Sequence, residues 1–307
     1  MSTQEDLFHP VVELPEPVRA ERYERLVGLD EVKARLRKEA ELLADPARLH
    51  AWAGKEHGGA PAALTLFADR APLFVFAGDV GAGKTALAES FGCDLSDRLG
   101  VPVHLYRLKL ATRGSGLVGE MTGLVTDAFE LLLTRGKAAR RGNGVSSVLV
   151  LVVDEADALA QSREAQQMHH EDRAGVDALL AGVDGLAGAG VPVLVVLCTN
   201  RQGALDPAIM RRAAATFLFG RPDDSQRRAV LEAALDGLGI EPAMIDRLVA
   251  ATGPDGERAG YTYSDLTQRL VPAAVLDAYP DRPVDGDGLL RAAAGTESTP
   301  VFGAGRR

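Results

Sequence analysis

Two short stretches of this 307-residue chain carry side chains whose types and spacing suit phosphate chemistry. The first is Gly78-Asp79-Val80-Gly81-Ala82-Gly83-Lys84-Thr85. It matches the P-loop pattern in full: glycines let the backbone curl so that N–H groups face phosphate oxygens, a lysine reaches the outer phosphates, and a threonine hydroxyl is offered to magnesium. Asp79, Val80, Gly81, Ala82, Gly83, Lys84, Thr85 and Ala86 are therefore expected to line the phosphates of ATP, with Lys84 also serving the reaction. The second stretch is the apolar run Val148 to Val153, which ends in Asp154-Glu155. Adjacent carboxylates at the carboxyl end of a buried strand lie where open parallel sheets place ligands. Asp154 is expected to share Mg2+ with Thr85, through water, and Glu155 to polarise the attacking water as a general base. An isolated Asp-Glu pair is more often a solvated strand end; downstream of a P-loop it reads as the second half of a hydrolytic site. A third run, Val193 to Leu197, leads into Cys198-Thr199-Asn200, where Asn200 could hydrogen-bond the γ-phosphate or the water. Alone, such an asparagine is more often a turn residue.

These residues need a sheet to hold them. Leu73 to Ala77 reads as an apolar strand, Thr85 to Leu99 as a helix and Val103 to Leu108 as a strand. Helical spacing from Leu124 to Leu133, the strand Val148 to Val153, a helix around Val176 to Leu180 and the strand Val193 to Leu197 continue the alternation. The expected fold is α/β, a P-loop NTPase parallel sheet with helices on both faces. Upstream, Pro10, Pro15 and Pro17 predict an extended arm over residues 1–20, and Val32, Leu36, Ala40 and Leu43 mark an amphipathic helix. Past Phe217 to Phe219, the turn Gly220-Arg221-Pro222-Asp223 precedes segments that all look helical: Asp224 to Leu235, Pro242 to Ala250, Ser264 to Ala278 and Gly288 to Ala294. The expected organisation is a nucleotide-binding core over residues 21–220, a small all-helical domain over 221–295 and a flexible tail over 296–307.

Composition narrows the partners. With 43 acidic against 34 basic residues the net charge is −9, which opposes nonspecific attraction to nucleic-acid phosphates or an anionic membrane surface. The longest apolar runs fall well short of a membrane-spanning helix. The two cysteines, Cys93 and Cys198, fall in segments that read as a helix and a buried strand end, so a disulfide framework is not expected. A cytoplasmic protein fits these features, with no membrane partner expected and a nucleic-acid partner disfavoured.

Val27-Gly28-Leu29-Asp30-Glu31-Val32-Lys33, the two phosphate motifs, Asn200, Leu205-Asp206-Pro207-Ala208 and Gly260-Tyr261-Thr262-Tyr263-Ser264-Asp265-Leu266 follow one another like the landmarks of AAA+ ATPases. The chain resembles that family from residue 25 to residue 295. The resemblance implies that Val27 and Gly28 line the adenine pocket, that Asn200 is the first sensor, and that Gly260 opens the sensor-two helix of a lid domain. Ser264 and Asp265 stand where other branches carry a sensor-two arginine. Arg211 and Arg212 fall where such proteins carry arginine fingers, which reach the γ-phosphate of the next subunit; this implies a homohexamer, with Arg212 favoured. Without the resemblance, both would read as solvated arginines on a helix end. The first pore loop would be Ser115 to Met121, with Leu117 in place of the usual aromatic and Val118 beside it, and Gln161 to Gly175, with His169 and His170, resembles the second.

Within the family, the run Gly116 to Phe129 and the gap-free stretch Leu205 to Gly220 resemble the pachytene-checkpoint-type branch. Those ATPases remodel HORMA-domain proteins, and bacterial members act in antiviral signalling. The implied activity is ATP hydrolysis coupled to remodelling of a partner protein. Two other readings are a nucleotide-dependent scaffold or loader on nucleic acid, which the acidic charge disfavours, and an unfoldase serving a protease, which usually has either a fused protease motif such as His-Glu-x-x-His or a C-terminal docking peptide, neither of which is evident.

Overall fold

The computed structural model describes residues 3–59, 61–110, 120–142, 144–158, 170–201, 203, 205–256 and 258–301. The N-terminal segment departs from the extended arm expected of it. Helix α1 (Gln4–Leu7), strand β1 (Val12–Leu14) and helix α2 (Pro17–Glu24) fill it, and β1 pairs antiparallel with a strand more than eighty residues away, Val12 opposite Leu105. The prolines punctuate the elements rather than preventing them: Pro17 starts α2, where a missing N–H costs nothing.

Helices α3 (Asp30–Ala44), α4 (Pro46–His57) and α5 (Ala62–Ala68) lead to β2 (Leu73–Gly78), the fully buried strand before α6 (Lys84–Leu99). Then come β3 (Val103–Arg107), α7 (Glu120–Ala139), a short ribbon of β4 (Arg140–Arg141) and β5 (Gly144–Val145), β6 (Val148–Val153) and α8 (His170–Ala189). Strand β7 (Val193–Thr199), helix α9 (Pro207–Arg212) and strand β8 (Ala215–Phe219) complete the sheet region. Strand order is β1-β3-β6-β7-β2-β8, with β3, β6, β7 and β2 mutually parallel where they pair. The buried strands β2, β6 and β7 are apolar but for Thr199 at the end of β7, as expected for strands covered on both faces.

Alternation along the strands divides the core. Leu73, Val75, Leu149, Leu151 and Val195 pack with Val125, Phe129, Leu132, Val176 and Val183 of α7 and α8. Gly182 lets those two helices approach, because a Cβ there would lie 2.3 Å from the Phe129 ring. On the opposite face Phe74 and Phe76 meet Phe217 edge to face, and Gly92 of α6 admits Leu14 and Val103.

The C-terminal segments are helical: α10 (Asp224–Ala234), α11 (Pro242–Ala251), a π-helical stretch over Asp265–Leu270 that runs into α12 (Val271–Ala278), and α13 (Gly286–Gly295). Their core is Leu231, Leu248, Tyr261, Leu266, Leu270 and Leu289. An Asp223–Gln226 capping box starts α10. The segment after α13, expected to be a loose tail, is tied down as far as it is described: Thr299 donates its N–H and hydroxyl to Asp265 at 3.0 and 2.7 Å. Asp265 is fully buried, and although burial would push its carboxyl up, hydrogen bonds from Thr262 and Thr299 outweigh this and hold it below the usual carboxylate range.

Two compact units result, one of Met1–Tyr23, Glu31–Ala77 and Thr85–Phe217, the other of Glu24–Asp30, Gly78–Lys84 and Leu218–Arg307. The phosphate loop and the segment before α3 thus group with the C-terminal helices, a grouping that sequence order conceals.

Candidate nucleotide site

The phosphate loop is shaped by contacts that only glycine permits. Gly78 ends β2 at φ 150°, and a Cβ there would lie 1.9 Å from the carbonyl oxygen of Phe219, which accepts the Asp79 N–H at 3.0 Å. Gly81, at φ 72°, abuts Thr262 and Ser264, and its carbonyl accepts the Ser264 N–H at 3.1 Å. Val80 is exposed at the crest of the loop, while Ala82 is buried beneath it. Gly83 also adopts positive φ, and Ala86 lies in the first turn of α6, its carbonyl taking the Ser90 hydroxyl at 2.6 Å. Lys84, only 5 % exposed, donates its ammonium to the carbonyls of Gly78 at 3.1 Å and Asp79 at 2.6 Å. The backbone of the loop is therefore curled around a buried cation, the form that receives phosphate oxygens.

The next side chain, Thr85, donates its hydroxyl to Asp154 Oδ2 at 3.0 Å, so the two residues expected to share magnesium meet. Both are hard oxygen donors, and Asp154 is exposed, a donor set that fits an ion which keeps most of its waters. Among the described residues no group of three or more His, Cys, Asp or Glu is arranged as a metal cage. Glu155 has φ 51°, the left-handed region that side chains rarely adopt, and its N–H donates to Asp154 Oδ1 at 3.0 Å. The strained step turns the chain sharply at the strand end, and Glu155 is exposed.

Strand β7 lies beside β6, Leu197 opposite Val153, and carries Asn200 just past its end. Thr199 braces that turn, donating to Asp157 at 3.1 Å and accepting the Arg201 N–H at 3.1 Å. Helix α9 begins at Pro207 with Asp206 as its cap, accepting the Ala208 N–H at 2.7 Å, and ends in Arg211 and Arg212. The two arginines differ. Arg211 is exposed, whereas Arg212 makes a bidentate pair with Asp184 of α8, at 2.8 and 3.0 Å, which raises its already high pKa. Sequence reasoning missed Asp184, which reads as one more acid on a helix.

On the helical unit, Val27 packs against the core that contains Leu231 and Tyr261. Gly28, at φ 79°, has the Tyr263 hydroxyl within 2.9 Å of where a Cβ would stand and gives its carbonyl to Gln226 at 2.8 Å. Burial, with Asp223 and Asp30 nearby, pushes the Tyr263 phenol up to about 12. Gly260 is buried, and its carbonyl accepts from Arg221 at 2.6 Å. Leu117, Val118 and His169 lie outside the described residues.

A buried strand, a curled loop closing on a lysine and, one strand removed in the same parallel sheet, a strand that ends in two acids are the architecture of a P-loop nucleoside-triphosphatase. The comparisons agree. The ATPase family associated with various cellular activities (AAA) is matched over residues 74–221. Over 97 % of its length the chain is 46 % identical to 96 % of a protein of Escherichia coli (strain MS 115-1) named CD-NTase-associated protein 6. It superposes with a TM-score of 0.92, at 45 % identity and covering 98 % of this chain and 99 % of the other, on a chain of a solved E. coli MS115-1 HORMA:CdnC:Trip13 complex. A Rhizobiales Trip13 structure matches at TM-score 0.76 and 40 % identity, covering 96 % of this chain and 100 % of that one. The chain belongs to the AAA ATPase family, among the relatives named CD-NTase-associated protein 6.

Proposed function

We propose that this ATPase couples ATP hydrolysis to remodelling of a HORMA-domain protein in a bacterial antiviral signalling system, acting in the cytoplasm as a homohexamer. The observation that carries the reading is the end-to-end likeness to a chain of a solved HORMA:CdnC:Trip13 complex, together with the likeness to a Rhizobiales Trip13. Residues 21–220 would serve as the nucleotide-binding core and residues 221–295 as the lid, with Val27, Gly28 and Gly260 on the adenine side.

In this reading the loop from Asp79 to Ala86 holds the phosphates, with Lys84 against the outer pair. Thr85 and Asp154 supply the oxygens for Mg2+, which, when bound, neutralises charge on the β- and γ-phosphate oxygens. Glu155 takes the proton from the attacking water, and Asn200 orients that water or the γ-phosphate. Arg212, with Arg211 beside it, serves the neighbouring subunit's phosphate; the Asp184 pair holds its guanidinium poised at the end of α9. Leu117 and Val118 would grip a segment of the client by apolar contact.

The test is ATP turnover by the purified chain, with and without a purified HORMA-domain protein, together with its mass in ATP by light scattering. Turnover raised severalfold in a six-subunit particle is the expected result. Turnover indifferent to that protein would overturn the client assignment, leave the ATPase in place and revive the scaffold and unfoldase readings.

A further inference from the structure

A phosphate loop is an unfavourable place for a carboxylate, because it must accept a polyanion. Position 79 nonetheless holds an aspartate. Its Oδ1 accepts the Val80 N–H at 3.0 Å, and its Oδ2 accepts Nε of Arg221 at 2.6 Å; both side chains are only 14 % exposed. The guanidinium is fixed from two further sides, Nη1 donating to the Gly260 carbonyl and Nη2 to the Thr299 carbonyl, each at 2.6 Å. Thr299 is in turn clamped by the buried Asp265. The main-chain carbonyl of Asp79 is also an acceptor of the Lys84 ammonium. The carboxylate therefore belongs to the same residue whose carbonyl holds the Lys84 ammonium, the group read as meeting the outer phosphates.

We propose that Arg221 is a positioning residue for the phosphate site: it cancels the Asp79 carboxylate inside the loop that receives the nucleotide. This rests on the reading of Gly78 to Thr85 as the ATP site. A structural arginine needs only its acceptors, and any change at Arg221 would then weaken every nucleotide alike. A charge-cancelling arginine makes a different demand, since repulsion from a bared carboxylate grows with the number of phosphate charges and is screened by salt.

The experiment measures dissociation constants of ATP, ADP and AMP for the full chain and for the variants Asp79→Asn, Arg221→Met and the double variant, at low and high salt. Arg221→Met is expected to weaken ATP about tenfold, ADP less and AMP least, with the loss shrinking at high salt. Asp79→Asn keeps the Val80 acceptor, drops the negative charge and is expected to tighten ATP most. The double variant is expected to return close to the unaltered chain. Equal losses for all three nucleotides, or a double variant no better than Arg221→Met, would overturn the proposal. If Arg221→Met does not fold, Asp79→Asn decides alone: failure to tighten ATP more than AMP overturns it. Absence of nucleotide binding by the unaltered chain would instead overturn the ATP-site reading, and this inference with it.

Discussion

Glu155 is held in the left-handed region at φ 51°, which costs a residue with a Cβ about 1–2 kcal/mol. Strain of that size persists where the surrounding fold over-determines it, here between the buried strand β6 and the turn that follows. Glu155→Gln keeps the backbone and the size of the side chain but removes the carboxylate proposed as the base. It is expected to bind ATP as before while turnover falls by about 100-fold or more, measured by nucleotide titration and by phosphate release. Normal turnover would sink the assignment of Glu155. Gly78→Ala tests the loop from the other side. A Cβ 1.9 Å from the Phe219 carbonyl must displace backbone, so nucleotide binding should be lost and the melting temperature should fall. What the sequence made legible at this scale were groups whose chemistry is local: a glycine run with Lys84 and Thr85, and two acids at a strand end. Asp184 and Arg221 were illegible because each takes its meaning from a partner far along the chain, Arg212 and Asp79 respectively.

The same distinction runs through the elements. The strands β2, β6 and β7 were legible because burial on both faces demands unbroken apolar runs. The three-residue β1 was not, because Val12-Glu13-Leu14 has no pattern of its own and gains its backbone partners from β3. Helix α2 is fastened in a comparable way. Glu89 of α6, 8 % exposed, accepts from Arg19 at 2.7 Å and Arg22 at 3.3 Å on α2 and from Arg107 at 3.2 Å on β3. Burial alone would push this carboxyl up, but Arg19 and Arg107 outweigh it and hold the group below the usual glutamate range. A carboxyl depressed in the folded state adds stability above its unfolded pKa of about 4.3 and loses it as pH falls through the folded value. Glu89→Gln should therefore destabilise the chain by about 2–3 kcal/mol at pH 7, leaving three arginines around a neutral group. The difference from the unaltered chain should shrink steadily below about pH 4. Urea unfolding of both proteins across that range checks it; a difference that grows on acidification would mean that Glu89 is not the charged clasp.

At the scale of the whole molecule the decisive question is which chain each site residue serves. Heterologous contacts between identical subunits close into rings, and they allow a site to be completed by a side chain from the next copy. Arg212 lies at the end of α9 and pairs with Asp184 of its own chain, whereas Thr85 meets Asp154, next to Glu155. If Arg212 acts on the neighbour's nucleotide while Glu155 acts on its own, the two roles can be separated by mixing. Arg212→Ala and Glu155→Gln are each expected to be inactive alone, both still binding ATP. Mixed in equal amounts and allowed to exchange subunits, about a quarter of the interfaces would pair an intact Glu155 with an intact Arg212, and turnover should return in proportion. The recovery should vary with the mixing ratio as the product of the two fractions and peak at equal amounts. Phosphate release measured across the series reads this directly. No recovery at any ratio, with subunit exchange verified by fluorescence transfer, would mean that both residues serve the same subunit, and the assignment of Arg212 to the neighbouring site would have to be withdrawn.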